Sequence, residues 1–343
     1  MKNLKILLVS LAILFSHNFT LGQSSKDSNK EKSAVKSALN AFKFRSIGPA
    51  FMSGRIADIA IDPTNENVWY VAVGSGGVWK TENAGTTWSP IADNMPFYST
   101  GSITIDPHNN ASIWLGTGEN VGGRHVGIGH GVYHSKDGGK SWKDMGLKKS
   151  EHISKIIVHP EDPNTVWVAS QGPLWSPGGE RGLYKTTDGG KTWKNTLDIN
   201  EWTGVTDLVI DPTNPDILYA ASWQKHRNVA ALIGGGPGTS LYKSVDGGSN
   251  WSKIDKGLPM SNKGKIGLAI SPMQPNVLYA AVELDKRTGA VYRSDNSGGS
   301  WKKMSDTVSG GTGPHYYQEL VASPHVFDKI YLMNQINLVK HMR

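Results

Sequence analysis

The chain has 343 residues, 38% of them apolar, with 40 glycines, 12 tryptophans and a formal charge of +7. That length supports one large core or two ordinary ones, and abundant Gly and Trp with moderate charge point to an all-β protein rich in tight turns. The positive balance is mild and spread out, which argues against a nucleic-acid partner, and the absence of cysteine excludes disulfides and thiolate metal sites.

Residues 1–22 read as a secretory signal. Lys2 and Lys5 precede the apolar run Ile6 to Phe15, which is too short to span a bilayer, and Thr20 and Gly22 suit a cut before Gln23. A secreted or periplasmic chain is expected, with no membrane span after signal removal. Residues 23–41 are polar and read as a linker. Residues 42–343 carry the repeats.

Two elements recur out of phase. The first is an apolar strand, a Pro-containing turn and a second strand: "IDPTNENVWYVAV", "IDPHNNASIWLGT", "VHPEDPNTVWVAS", "IDPTNPDILYAAS", "ISPMQPNVLYAAV" and "ASPHVFDKIYLMN". The second is an octet: "TENAGTTW", "SKDGGKSW", "TTDGGKTW", "SVDGGSNW" and "SDNSGGSW", ending at Trp88, Trp142, Trp193, Trp251 and Trp301. Four short strands in each repeat of roughly 50 residues predict a β-propeller of four-stranded blades, about five complete and a sixth partial. A solenoid is the alternative, with usually shorter repeats. The sixth repeat lacks an octet, so the ring is not expected to close on its own, and an N-terminal fragment of a longer protein is expected.

The octet is expected to be a hairpin between the third and fourth strands. A calcium loop needs several oxygen side chains at alternating positions, and in "TTDGGKTW" Asp188 is the only carboxylate; the third position of the five octets holds Asn83, Asp137, Asp188, Asp246 and Asn296. A phosphate loop needs a glycine where His134 and Lys185 stand. A short acceptor with glycine beside it suits a tight turn, and the Trp can bury its ring against the blade. His125, His130 and His134 are too loosely spaced for a metal site. No metal or cofactor is expected.

The octet pattern S/T-x-D-x-G-x-T/S-W resembles the Asp-box, or BNR repeat, of sialidases, xyloglucanase-type glycoside hydrolases, sortilin-type sorting receptors and photosystem-assembly factors. "FRSIGPAFMSGRIADIAIDP" followed by "GSGGVWKTENAGTTW" is similar to bacterial exported proteins of sortilin-like or glycosyl-hydrolase-like kind. The resemblance implies a box at the blade periphery, away from any ligand. It also implies a catalytic Asp after the second strand of the first blade, where this chain has Gly74, and a second one in another propeller. The arginine motif of sialidases is interrupted in "FRSIGP".

Variable loops between second and third strands are the expected binding face. They offer Glu119, Asn120, Arg124 and His125 in "GTGENVGGRH", Trp175 and Arg181 in "SQGPLWSPGGERG", and Trp223 and Arg227 in "SWQKHRN"; Trp202 lies in a neighbouring loop. Arg55 and Arg124 are candidates to hold a carboxylate by paired N–H donors. Trp69, Trp79, Trp114 and Trp167 read as core. Along the first strands Asp58, Ser102, Lys155, Asp207, Gly267 and Glu319 form one polar level, placing Asp58, Lys155, Asp207 and Glu319 at the channel mouth; Asp58, Asp207 and Glu319 are the candidate catalytic carboxylates. The favoured function is a binding module for a peptide or glycan with no chemistry of its own. The alternatives are part of a glycoside hydrolase, which needs paired carboxylates, and an assembly scaffold.

Overall fold

The structure is a computed structural model that describes residues 55–123, 126–284, 288–307, 319–333 and 338–341. All of these lie in one compact unit, Ser53–Arg343. The expected signal and linker, Arg124 and His125 lie outside the described residues.

The strands form six successive antiparallel sheets, and no α-helix occurs among the described residues. Blade 1 contains β1 (Ile56–Ile61), β2 (Trp69–Val73), β3 (Gly77–Thr81) and β4 (Ser89–Pro90). Blade 2 contains β5 (Thr100–Asp106), β6 (Asn109–Thr117), β7 (Val132–Ser135) and β8 (Lys143–Asp144). Blade 3 contains β9 (Ile153–Val158), β10 (Val166–Ser170), β11 (Gly182–Thr186) and β12 (Lys194–Leu197). Blade 4 contains β13 (Thr203–Asp211) and β14 (Asn214–Gln224), a side hairpin of β15 (His226–Arg227) and β16 (Leu232–Ile233), then β17 (Leu241–Ser244) and β18 (Ser252–Lys253). Blade 5 contains β19 (Ile266–Ile270), β20 (Leu278–Glu283), β21 (Gly289–Ser294) and β22 (Lys302–Thr307). Blade 6 contains β23 (Leu320–Ala322), β24 (Lys329–Leu332) and β25 (Leu338–His341). The third strand of blade 6 was not expected, because no octet follows it; β25 pairs with β24 from Lys329 opposite His341 to Leu332 opposite Leu338.

Alternation of apolar and small residues fixes which faces meet. Five apolar clusters join neighbouring blades in order. One combines Tyr70, Ala72 and Val78 of blade 1 with Ile103, Ile113 and Leu115 of blade 2. Another combines Tyr219, Ala221 and Leu241 of blade 4 with Ile266, Leu268 and Leu278 of blade 5. Each blade thus depends on its neighbours for its core, as in other repeat architectures.

Blade 1 departs from this pattern on one face. Ile59 is 50% exposed, whereas its equivalents Ile103, Ile156, Leu208 and Leu268 are buried. Ile56, Ile61 and Trp88 are also exposed. Among the described residues no blade covers this face, so the described sheets do not close into a ring. The same absence corrects the reading of Trp79 as core: it is surface-exposed, whereas Trp114 and Trp167 are fully buried between blades.

Candidate functional site

The inner strands place the polar level in a common setting. In β1, β5, β9 and β13 the ladder slips by one residue immediately before Asp58, Ser102, Lys155 and Asp207. A bulge of this kind re-aims the following side chain. Asp58 Oδ1 accepts from its own neighbour Ile59 N at 2.9 Å, and Oδ2 accepts from Ile103 N of blade 2 at 3.0 Å and from Ser102 Oγ at 3.2 Å. Asp207 repeats the device: Oδ1 accepts from Leu208 N at 2.9 Å and Oδ2 from Leu268 N of blade 5 at 2.7 Å. These carboxylates latch one blade to the next. Thr104 Oγ1 donates to Ile156 O at 2.8 Å and Ser154 Oγ to Val205 O at 3.1 Å, continuing the series.

Lys155 is the positive centre of this level. Desolvation alone would lower its ammonium, but Asp58, Asp207 and Glu319 together hold it above the usual lysine range. Burial raises the Asp207 and Glu319 carboxyls, with Lys155 opposing the rise in both. Lys155, Asp207 and Glu319 line one cavity of about 290 Å³. The four charged residues proposed from alternation are therefore electrostatic neighbours.

A second cluster lies at the loop end of blades 1 and 2. Arg55 holds Glu119 through both guanidinium arms: Nε donates to Oε1 and NH2 donates to Oε2 at 2.6 Å. Glu119 is fully buried. A Cβ placed on Gly74 would lie 2.7 Å from Glu119 Oε1. The Glu119 carboxylate thus fills the space that a side chain at position 74 would need, and Ser99 Oγ ties the two segments by donating to Gly74 O at 2.7 Å and accepting from Glu119 N at 3.0 Å. Arg55 was expected to hold a ligand carboxylate together with Arg124; the carboxylate it holds here is Glu119 of its own chain. Neighbouring Asn120 is 3% exposed; its carbonyl accepts from Lys265 Nζ at 2.9 Å.

The other loop candidates divide into internal and surface groups. Arg181 is buried and donates to the carbonyls of Gly178 at 2.9 Å, Gln171 at 2.8 Å and Ser176 at 2.7 Å, and to that of Pro173, so it folds its own loop around itself. Arg227 donates to Gly122 O at 2.6 Å, binding the blade-4 hairpin to the blade-2 loop. Trp223 is buried, donates to Gly234 O at 2.9 Å and lies against the ammonium groups of Lys225 and Lys265. Lys225 is wholly buried, donates to Gln171 Oε1 at 2.7 Å, and burial pushes its amine well below the usual value, helped by Arg181 and Lys265.

Trp175 and Trp202 remain at the surface. Trp175 is 44% exposed with Arg227 over its ring. Trp202 is half-buried, with His226 at 4.0 Å between ring centres. The loops that carry them also line a groove of about 370 Å³, through Gly178, Arg181, Asn195, Asp198, Asn200 and Glu201. Gly178 N donates to Glu201 O at 2.8 Å, fastening the two loops together. Asp198, Asn200 and Glu201 were not singled out from the sequence, although "DINEW" sets two acids and an amide directly before Trp202.

The octets sit at the blade periphery, between the third and fourth strands. In "TTDGGKTW", Asp188 Oδ1 accepts from Thr186 Oγ1 at 2.7 Å and from Lys191 N and Thr192 N at 2.9 Å, and Oδ2 accepts from Thr192 Oγ1 at 2.6 Å. The hydroxyl bonds, then the backbone N–H groups, hold this carboxyl below its usual range, and Asp137 is lowered to about 2 in the same way. The octet indoles reach the preceding blade: Trp142 Nε1 donates to Ile91 O at 3.0 Å, Trp193 to Met145 O at 2.7 Å and Trp301 to Ile254 O at 2.8 Å.

Radial sheets sewn at the centre and clasped by octets at the rim decide the architecture. The fold is a β-propeller. The family model described as Sortilin-Vps10 (sortilin, neurotensin receptor 3) matches residues 130–259. A probable oligoxyloglucan-reducing end-specific xyloglucanase of Neosartorya fischeri is 25% identical over 247 residues, covering 66% of this chain and 27% of that protein. A xyloglucanase of Hypocrea jecorina is 23% identical over 308 residues, 81% of this chain and 35% of that protein. The crystal structure of an ancestral GH74 enzyme superposes with a TM-score of 0.61 at 23% identity, over 81% of this chain and 34% of that one. The GH74 xyloglucanase of Xanthomonas campestris superposes at 0.53 with 14% identity, over 84% of this chain and 51% of that one. The chain therefore matches only 27% and 35% of the length of these two curated relatives.

Proposed function

We propose that this chain is an exported propeller that binds a polysaccharide of the xyloglucan type on its loop face, without breaking glycosidic bonds itself. The loop groove carries this reading. It offers the exposed polar groups of Asp198, Asn200 and Glu201, and the two loops that line it also carry Trp175 and Trp202, whose indoles are the candidates to stack on sugar C–H surfaces. Curated relatives named as xyloglucanases support a glycan over a peptide. The binder reading is supported by the engagement of three carboxylates: Asp58 and Asp207 accept backbone N–H groups, and Glu119 is held by Arg55.

Affinity electrophoresis in gels containing xyloglucan tests the binding. Retardation of the full chain is expected, and Trp175→Ala combined with Trp202→Ala should weaken it at least tenfold. Unretarded migration of the wild-type chain sinks the reading. A glycoside hydrolase is the second reading, favoured by two carboxylates, Asp198 and Glu201, that line the same groove. It requires release of reducing ends from xyloglucan that disappears in Asp198→Asn or Glu201→Gln; the same assay covers Asp58→Asn, Asp207→Asn and Glu319→Gln.

A further inference from the structure

The cavity at the centre of the inner strands lies on the side of the Pro turns, reaching Pro272 just after β19, whereas the loop groove is on the opposite rim. Lys155 and Glu319 both line it. Among the described residues neither the Lys155 ammonium nor the Glu319 carboxylate has a hydrogen bond or close ion pair, although each acts on the other electrostatically. A donor and an acceptor thus face one space without meeting. The group that fits between them must accept from an ammonium and donate to a carboxylate, which is what a hydroxyl does.

A second observation points the same way. Asn120, 3% exposed, has an Oδ1 without a hydrogen-bond partner among the described residues. It lines a small chamber of about 20 Å³ together with the same Lys155, Asp207 and Glu319, and Lys265 closes it. A chamber of that size holds about one water, so a hydroxyl-bearing ligand in the larger cavity can reach Asn120 through it.

Charge selects further. Asp207 and Glu319 line the cavity beside Lys155, so an incoming anion meets two carboxylates. An incoming cation meets Lys155, with Lys265 close behind. A neutral ligand avoids both penalties. The walls Val209, Leu268 and Leu320 offer apolar surface to carbon-bound hydrogens.

We propose that this channel mouth is a binding site for a small neutral polyhydroxy compound of monosaccharide size, with Lys155 donating to one hydroxyl and Glu319 accepting from its neighbour. The site is separate from the loop groove and does not depend on the polysaccharide reading. Calorimetric titration of the full chain with glucose and xylose tests it, with gluconate and glucosamine as the anionic and cationic counterparts. Saturable binding of a neutral sugar is expected, with both charged analogues at least tenfold weaker. Glu319→Gln should weaken binding at least fivefold. Lys155→Met should do the same where its melting curve shows it folded; where it does not, Glu319→Gln decides. Trp175→Ala should leave this binding unchanged while weakening polysaccharide retention, so the two proposals fail separately. No heat from either sugar, gluconate binding as tightly as glucose, or wild-type affinity in Glu319→Gln would overturn the assignment.

Discussion

At the scale of single residues the octet shows how two chemistries serve one turn. Asp188 accepts at both oxygens, whereas Asn83 and Asn296 keep the oxygen role and turn their Nδ2 outward to donate to Thr87 Oγ1 at 2.9 Å and Ser300 Oγ at 3.0 Å. The hydroxyl at the last polar position reverses its part, which is why Asp and Asn interchange here. Two consecutive residues have positive φ. The first is Gly189 in one octet but Ala84 (φ 53) and Ser297 (φ 55) in others; the second is always glycine, as at Gly85, Gly190 and Gly298. A Cβ at Gly190 would approach Met145 and Trp114 to 2.9 Å. Ala84→Gly should therefore raise stability by up to about 1 kcal/mol, and Gly190→Ala should lower it by about 2 kcal/mol or more, both read from denaturant melts.

Glu283 gives a pH prediction at the same scale. It is buried, and burial pushes its carboxyl up to about 7, against the hydrogen bond from Lys265 N and the Lys265 charge. The native state then holds the proton more tightly than the unfolded chain, whose glutamates titrate near 4.5. Its contribution is complete below that value and is lost as pH rises from about 4.5 through about 7. Glu283→Gln should abolish that loss, gaining on the order of 3 kcal/mol over wild type at pH 8 but little at pH 4. Unfolding titrations at the two pH values measure it.

Among elements, the governing device is the latch from one inner strand to the next. Asp207→Ala strands the buried amide of Leu268 and should cost about 1–3 kcal/mol, with faster amide exchange along β19 than along β9. An unchanged melt would mean that the latch is dispensable. The latch explains what sequence could and could not reveal. Pro turns and octets were legible because a turn is local chemistry, written in Pro, Gly, Asp and Ser within a few positions. The polar level was legible because strand alternation put Asp58, Lys155 and Asp207 at matching positions; the bulges that re-aim them carry no comparable signature. Arg181 was placed on the ligand face because its loop is variable, yet its partners are carbonyls of that same loop, which leave no mark in side-chain identity. Glu119 could not be paired with Arg55 before β1 and the β6–β7 loop were brought together.

At the scale of the molecule, the described blades form a series with two ends. Each apolar cluster joins only consecutive blades, so interior positions and their repeats at the end differ in energetic weight. Ile59→Glu should change stability by less than about 0.5 kcal/mol, whereas Leu208→Ala, at the buried equivalent, should cost about 2–5 kcal/mol. Comparable losses at both sites would show that the face of blade 1 is covered in solution. Exposed Ile56, Ile59 and Ile61 also form a contiguous sticky strand, where Lys substitutions should improve solubility.

Trp88 gives this end a use. Octet indoles in the later blades reach a preceding blade, but Trp88 is 38% exposed and is the most solvated of the five. The part of the emission that Trp88→Phe removes should be red-shifted, and a bluer difference spectrum on mixing with any molecule that seats against blade 1 would turn this indole into an optical probe of docking that needs no dye.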